Sequence, residues 1–224
     1  MQTVYYIFMR KLLVSVPLPL LLAFLLPPLR AQQPTPLRAT IQDSHEGLTI
    51  SVDPWTQALR YKERFPKKSP FSKGIVALRV SFRNDTNEGI KIDLQHIRLL
   101  LQLSEDDRQE LAPLTAEEVA DEVLLKNNGK DPTAKRVPLP IPIGGSKPSR
   151  DKNWTDFRDD CQNAGMPTSV VAAHGTVEGL LYFDLRGEVE LLQNARLYVP
   201  NLTMMGTKQP LSYFDIPLGS SGGT

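Results

Sequence analysis

Cysteine is almost absent from this chain: Cys161 is the single one in 224 residues. No intramolecular disulfide can form and no Cys-x-x-Cys motif exists, so the fold must hold by its core alone. Two roles stay open for Cys161, pairing between chains and service as a small buried hydrophobe. Histidine is nearly as scarce. His45, His96 and His174 stand apart with neither HxH nor HExxH spacing, so a zinc site would need ligands gathered by the fold. The Gly-x-Ser-x-Gly nucleophile elbow is missing, and Cys161 carries no local signature of a catalytic thiol. An excess of one charge is lacking too. With 26 basic and 25 acidic residues, the chain has no basic footprint for nucleic acid. Its one uncharged apolar run, Leu12 to Leu26, is shorter than the roughly 20 residues that span a bilayer.

That run has its own meaning. Arg10 and Lys11 precede it, and Pro27-Pro28-Leu29-Arg30-Ala31 follows, with Leu29 and Ala31 where a signal peptidase reads. Residues 1–31 are therefore expected to be a secretory signal peptide cleaved after Ala31. An uncleaved anchor is the competing reading, against which stand the run's length and its Pro17 and Pro19. Met9 offers an alternative start, and no cysteine follows for lipid attachment. Cleavage removes Arg10, Lys11 and Arg30, leaving 23 basic and 25 acidic residues, a net charge of −2. The expectation is a secreted or periplasmic protein with no membrane span after cleavage.

What is present is strand alternation. In Gly74 to Asp85, Val76, Leu78, Val80 and Phe82 share one face, while Ala77, Arg79, Ser81 and Arg83 share the other, the period-two pattern of a half-buried strand with one wet face. Asn84-Asp85-Thr86-Asn87 supplies turn chemistry before Ile90 to Leu94, which suggests a hairpin. Gln95-His96 breaks the phase ahead of Ile97 to Leu103, suggesting a bulge or corner. Leu48, Ile50 and Val52 alternate after Gly47, and residues 32–44 read as a flexible lead-in. Trp55 to Lys73 reads as an irregular basic connection anchored by Trp55, Tyr61 and Phe65. Val177 to Leu185 is the second strong strand, and Ala195 to Val199 and Leu211 to Ile216 are two more. Val80 and Phe82 are expected to face Leu181 or Phe183. Residues 219–224 read as a disordered tail.

Between the strand groups lies an insertion, residues 104–174. Thr115 and Glu118 form a capping-box pattern opening a helix striped by Val119, Val123 and Leu124, with Asn127-Asn128-Gly129 as its stop. Val137 to Ile143 has proline at every second position, so it can pair on one edge at most. Its PxP spacing differs from the PxxP that proline-reading domains take. Gly144 to Pro167 is polar, with Trp154, Phe157 and Cys161 as its expected buried points. About seven short strands without βα alternation predict a mainly β fold: an antiparallel two-sheet β-sandwich, residues 45–218, with an inserted helix and a proline-rich segment.

Three weaker patterns touch on chemistry. Asp151 to Asp156 begins like a calcium loop, but Asp156 replaces the turn glycine and Gln162 stands at the bidentate glutamate position. Gly144-Gly145-Ser146-Lys147 lacks the spacing of a phosphate loop. Asn84, Asn153 and Asn201 each begin an Asn-x-Thr glycosylation pattern, for which turn and strand-end usage is the plain alternative.

The run 74–87 with Ile-Lys-Ile-Asp-Leu after it, and Gly-Thr-Val-Glu-Gly-Leu-Leu-Tyr-Phe-Asp-Leu at 175–185, resembles bacterial extracytoplasmic immunoglobulin-like domains of the DUF4352 kind. The resemblance covers residues 45–103 and 170–218, and the insertion departs from it. It implies an immunoglobulin-like antiparallel β-sandwich fold and an envelope or secreted location, and it carries no catalytic residue or cofactor. The function expected is a non-enzymatic module that binds another protein or an envelope component, with no cofactor. Arg79, Arg83, Tyr182 and Tyr198, placed outward by strand phase, are its candidate contacts. The alternative is a metal-dependent hydrolase whose site the insertion assembles from Asp156, Asp159 and His174.

Overall fold

The computed structural model describes residues 41–104, 106–125 and 150–219. The expected signal peptide, the 127–129 helix stop, the proline-rich 137–143 and the 144–147 loop lie outside the described residues. Strand β1 (Ile41–His45) and β2 (Leu48–Trp55) form a hairpin across Glu46 and Gly47, whose φ values of 49° and 78° are those of a two-residue turn. The lead-in expected over 32–44 thus gives way to a paired strand at Ile41. Gln42-Asp43-Ser44 is too polar to announce an edge strand.

Helix α1 (Ala58–Arg64) occupies part of the stretch expected to be irregular. Tyr61 is fully buried there, and its hydroxyl donates to the Trp55 carbonyl at 2.8 Å and accepts the Ala77 N–H at 2.7 Å. A 3-10 turn, Pro70–Lys73, with Ser69 accepting the Phe71 N–H, then leads through Gly74 into β3 (Ile75–Asn84). Gly74 sits at φ 82°, and a Cβ there would lie 2.4 Å from the Gly187 nitrogen, so only glycine fits.

Strand β3 runs between β2 and β8 (Thr176–Asp184), giving a central sheet in the order β1-β2-β3-β8. Leu78 pairs with Leu181 and Val76 with Phe183. The two strongest strands of the sequence are therefore neighbours in one sheet, not opposed across a core. The expected hairpin from 74–85 into 90–94 also does not form. Asn84 diverts the chain: fully buried, its amide donates to the carbonyls of Glu88, Val171 and Ala172, and its Oδ1 accepts from the Thr86 N–H and hydroxyl. Strand β4 (Ile90–Ile92) accordingly joins a second sheet with β7 (Val170–Val171), β10 (Leu202–Met204) and β11 (Pro210–Leu211). A 3-10 turn, Leu94–His96, makes the corner expected at Gln95-His96. Beyond it lies a third sheet, in the order β12-β9-β5-β6, of β5 (Arg98–Gln102), β6 (Arg108–Leu111), β9 (Arg196–Val199) and β12 (Phe214–Pro217).

The inner face of the central sheet packs Ile50, Val80, Phe82 and Phe183 against Ile92, Leu99, Leu197 and Phe214 of the other two sheets, all of them essentially inaccessible. Each such side chain contributes about 1.5–3 kcal/mol by leaving water. The molecule is mainly β, an antiparallel sandwich with inserted helices, built from three sheets where two were expected. On the sheet's outer face sits a second apolar layer. Helix α2 (Ala116–Leu124) opens with the expected capping box, Thr115 and Glu118 each accepting from the other's end. Helix α3 (Lys152–Ala164) starts where Asp151 accepts the Trp154 N–H. Val119, Val123, Trp154, Phe157 and Cys161 join Tyr61 and Phe65 over Ile75, Ala77, Leu180 and Tyr182. Cys161 is thus a buried free thiol within an apolar cluster.

Candidate functional site

The outer face of the central sheet carries cross-strand rows fixed by register. Trp55, Ala77 and Tyr182 form one row, Asp53, Arg79 and Leu180 the next, then Ser51, Ser81 and Glu178, and last Thr49, Arg83 and Thr176. The helices cover the first row and stop at the second. This corrects the expectation for Tyr182: only 3% exposed, it lies under the helical layer and donates its hydroxyl to the Cys161 carbonyl at 3.1 Å. Burial pushes its phenol well above the usual range, so it stays neutral. Period-two phase marks a second face without saying whether another element covers it.

Arg79 and Arg83 do face solvent on this sheet. Tyr198 does not join them. It sits in the third sheet, paired with Arg98 and Asp215, its ring 5.5 Å from that of the exposed Tyr213. Nearby, Arg196 donates to Asp215 at 2.7 Å, which holds its guanidinium above the ordinary range. The four expected contacts are therefore split: two on the open sheet face, one in the interior, one on a different sheet.

Around Arg79 the structure builds a polar trough. Its guanidinium donates to both oxygens of Glu178 at 2.8 and 2.9 Å. Two clefts meet at this pair. One, of about 210 Å³, runs over Ser51, Asp53 and Ser81. The other, of about 260 Å³, is walled by Trp55, Arg64, Asn163, Gly165 and Gly179. Gly179 is what lets the end of α3 come so close, since a Cβ there would lie 2.5 Å from the Gly165 carbonyl oxygen. Asp53 takes a two-pronged ion pair from Arg60, at 2.6 and 2.7 Å, and Arg60 also lies 5.0 Å from the centre of the Trp55 ring. Arg83 closes the far end, donating to Asp85 at 3.2 Å and Thr49 at 3.4 Å. Arg64 gives one N–H to the Asn163 carbonyl at 2.8 Å and has no carboxylate partner among the described residues. The Trp55 indole Nε1 is enclosed yet meets no acceptor among the described residues.

The groups of the hydrolase alternative do not converge. Asp151 of the calcium-like stretch is a helix cap, Asp159 pairs with Arg158 at 2.6 Å, and Asp156 flanks a cleft of about 210 Å³ with Lys67, Lys68 and Asp160 over Phe65 and Phe157. His174 hydrogen-bonds Asn87 at 2.9 Å in the loop before β8. His45 stacks on Phe214 and His96 pairs with Asp93. No group of three or more metal-ligating side chains occurs among the described residues. Burial pushes the Cys161 thiol up to about 12, which leaves it a poor nucleophile. Of the Asn-x-Thr asparagines, Asn84 is buried in its own hydrogen-bond network, while Asn153 and Asn201 are exposed.

Glu178, Arg64, Asn163 and the donor role of Trp55 were not foreseen. Strand phase alone put Glu178 on the same face as Arg79, but only register makes them partners. No family model matches the chain, and no curated protein matches it. Among solved structures it is similar to a functionally unknown protein from Listeria monocytogenes EGD-e, with 13% identity and a TM-score of 0.35, over 80% of this chain and 82% of that one. At that distance the likeness assigns neither fold nor function.

Proposed function

We propose that this chain is a non-enzymatic binding module of the extracytoplasmic space, secreted or periplasmic, that recognises another protein through the trough around Arg79 and Glu178. The observation that carries the reading is the trough itself: polar side chains on β2, β3 and the outermost strand β8 of one sheet, bordered by helices, with two clefts meeting at one ion pair. Strands β2 and β3, hydrogen-bonded on both sides, hold Asp53 and Arg79 in fixed positions, which is the preorganisation a recognition surface needs. Arginine at the centre of the patch is suited to interfaces because its planar head makes several directed hydrogen bonds. The run from Arg10 to Ala31 supports the location. No helix among the described residues is long and apolar enough to cross a membrane.

The test compares capture from an envelope extract by three proteins: wild type, a trough variant (Arg79→Ala with Glu178→Ala), and a variant of the third sheet (Arg196→Ala with Tyr198→Ala). The trough variant should lose the captured partner, at least about tenfold in affinity if one well-placed charged contact is lost. The third-sheet variant should keep it. A partner set unchanged by the trough substitutions would overturn the assignment of this face.

A further inference from the structure

We infer that the larger cleft of the trough is a carboxylate-binding subsite, and that the partner presents an acidic side chain there. The inference rests on the trough being the recognition face, and it adds the chemistry of what is recognised. The walls of the cleft are rich in donors and short of acceptors. Arg64 lacks a carboxylate partner among the described residues, where its hydrogen bond goes to the Asn163 carbonyl. Trp55 also lines the cleft, and its enclosed indole N–H, a group that can only donate, meets no acceptor among the described residues. Arg79 stands at the cleft's mouth beside Glu178, and Arg60 lies over the Trp55 ring. Two guanidinium groups, Arg64 and Arg79, thus line the cleft against one carboxylate, Glu178, which Arg79 already engages. The surplus is one positive charge, located at Arg64.

A carboxylate satisfies this arrangement. It accepts two-pronged hydrogen bonds from a guanidinium and has lone pairs left for an indole N–H. The volume of about 260 Å³ admits one side chain of a partner and not a large cofactor. Because Glu178 is held by Arg79, it does not neutralise Arg64, and it borders the site with a negative edge that disfavours a more highly charged group such as phosphate.

The chain contains two tryptophans, and they make an internal control. Trp154 already donates its indole N–H to Asp121 at 2.8 Å. Uniformly nitrogen-15-labelled protein should show two indole resonances, assigned with a Trp55→Phe variant. Titration with a capped tetraglutamate peptide should move the Trp55 resonance downfield and saturably while the Trp154 resonance stays in place. A capped tetraglutamine peptide should move neither. Arg64→Ala should weaken the tetraglutamate response about tenfold, and Arg64→Lys should restore part of it. A Trp55 resonance that stays still, that moves equally with the glutamine peptide, or that responds as strongly to inorganic phosphate would overturn the inference. If the resonance stays still while the Arg79 and Glu178 variant still loses its partner, the carboxylate chemistry is wrong and the recognition face stands. If both fail, the trough reading falls with it.

Discussion

The outer face of the central sheet is one surface with two fates. Toward Ile75 and Ala77 it is sealed by helices, with Tyr61, Ala77 and Tyr182 at 0–3% exposure. Toward Arg83 it is open and polar, with Arg79 and Glu178 about half exposed. The strands are continuous across both halves, and their alternation is the same. What differs is whether a helix arrives overhead, and α3 ends at Gly165, level with Leu180. The covered half stabilises the sheet, and the open half leaves its polar side chains to solvent. A candidate site at the seam follows from that division, since its walls are rigid on one side and its mouth is wet on the other.

The sharpest way to break the comparison is to uncover the covered half. Tyr61→Ala removes a fully buried ring that touches Trp55, Phe65 and Phe71, and should cost about 3–5 kcal/mol in urea unfolding. Tyr61→Phe keeps the ring but leaves the Trp55 carbonyl and the Ala77 N–H without their shared partner, for about 1–3 kcal/mol. A loss under about 1 kcal/mol for the alanine variant would mean that the helical cover is dispensable.

The covered half should also be the alkaline-sensitive one. In the unfolded chain a cysteine ionises near pH 8.5, whereas burial raises Cys161 to about 12 in the fold. A raised pKa means the folded state keeps its proton longer, so this contribution is intact below about pH 8.5 and drains as pH climbs toward 12. The drain is about 1.4 kcal/mol for each pH unit above 8.5. Cys161→Ala should flatten the stability curve between pH 8.5 and 10. Above that, Tyr61 and Tyr182, also raised by burial, add their own slope. An identical pH dependence in wild type and Cys161→Ala would refute the sign of the shift.

Gly179→Ala strikes at the seam. The added methyl meets backbone atoms of Gly165 and Met166 within 2.7 Å, and backbone cannot rotate away, so a loss of about 1–3 kcal/mol is expected. Because the same contact walls the larger cleft, the Trp55 indole resonance should shift in the free protein. Stability and spectrum both unchanged would show that α3 is not seated on β8 there.

The inner core was legible from alternation alone. Val76, Leu78, Val80 and Phe82 face inward as read, and Thr115 and Glu118 cap their helix as read. Three kinds of feature were not. Strands of two or three residues, such as Val170–Val171 and Leu202–Met204, are too short to show a period. Helix α3 carries Trp154, Phe157, Cys161 and Ala164 at helical spacing, but among so many charged neighbours that the stripe reads as scattered anchors. The covering of Tyr182 depends on where that unseen helix lands, which no local pattern encodes. The site inherits the same limit. Arg79 was visible as an outward arginine, yet its pairing with Glu178, 99 residues away, is a product of register.

The smallest expected effect is the one that separates recognition from stability. Arg79 and Glu178 are 48% and 52% exposed at their side chains, so solvent screens their attraction, and a double-mutant cycle should return about 0.2–1 kcal/mol of coupling. Raising the salt should shrink it further, because exposed pairs are screened within roughly 10 Å at 0.1 M. Stability close to wild type combined with a large loss of partner binding is the signature of a surface kept for contact. A coupling well above 1 kcal/mol, insensitive to salt, would place the pair with the buried residues instead. The open half would then be a second structural element, and the distinction between the two halves of the sheet would be lost.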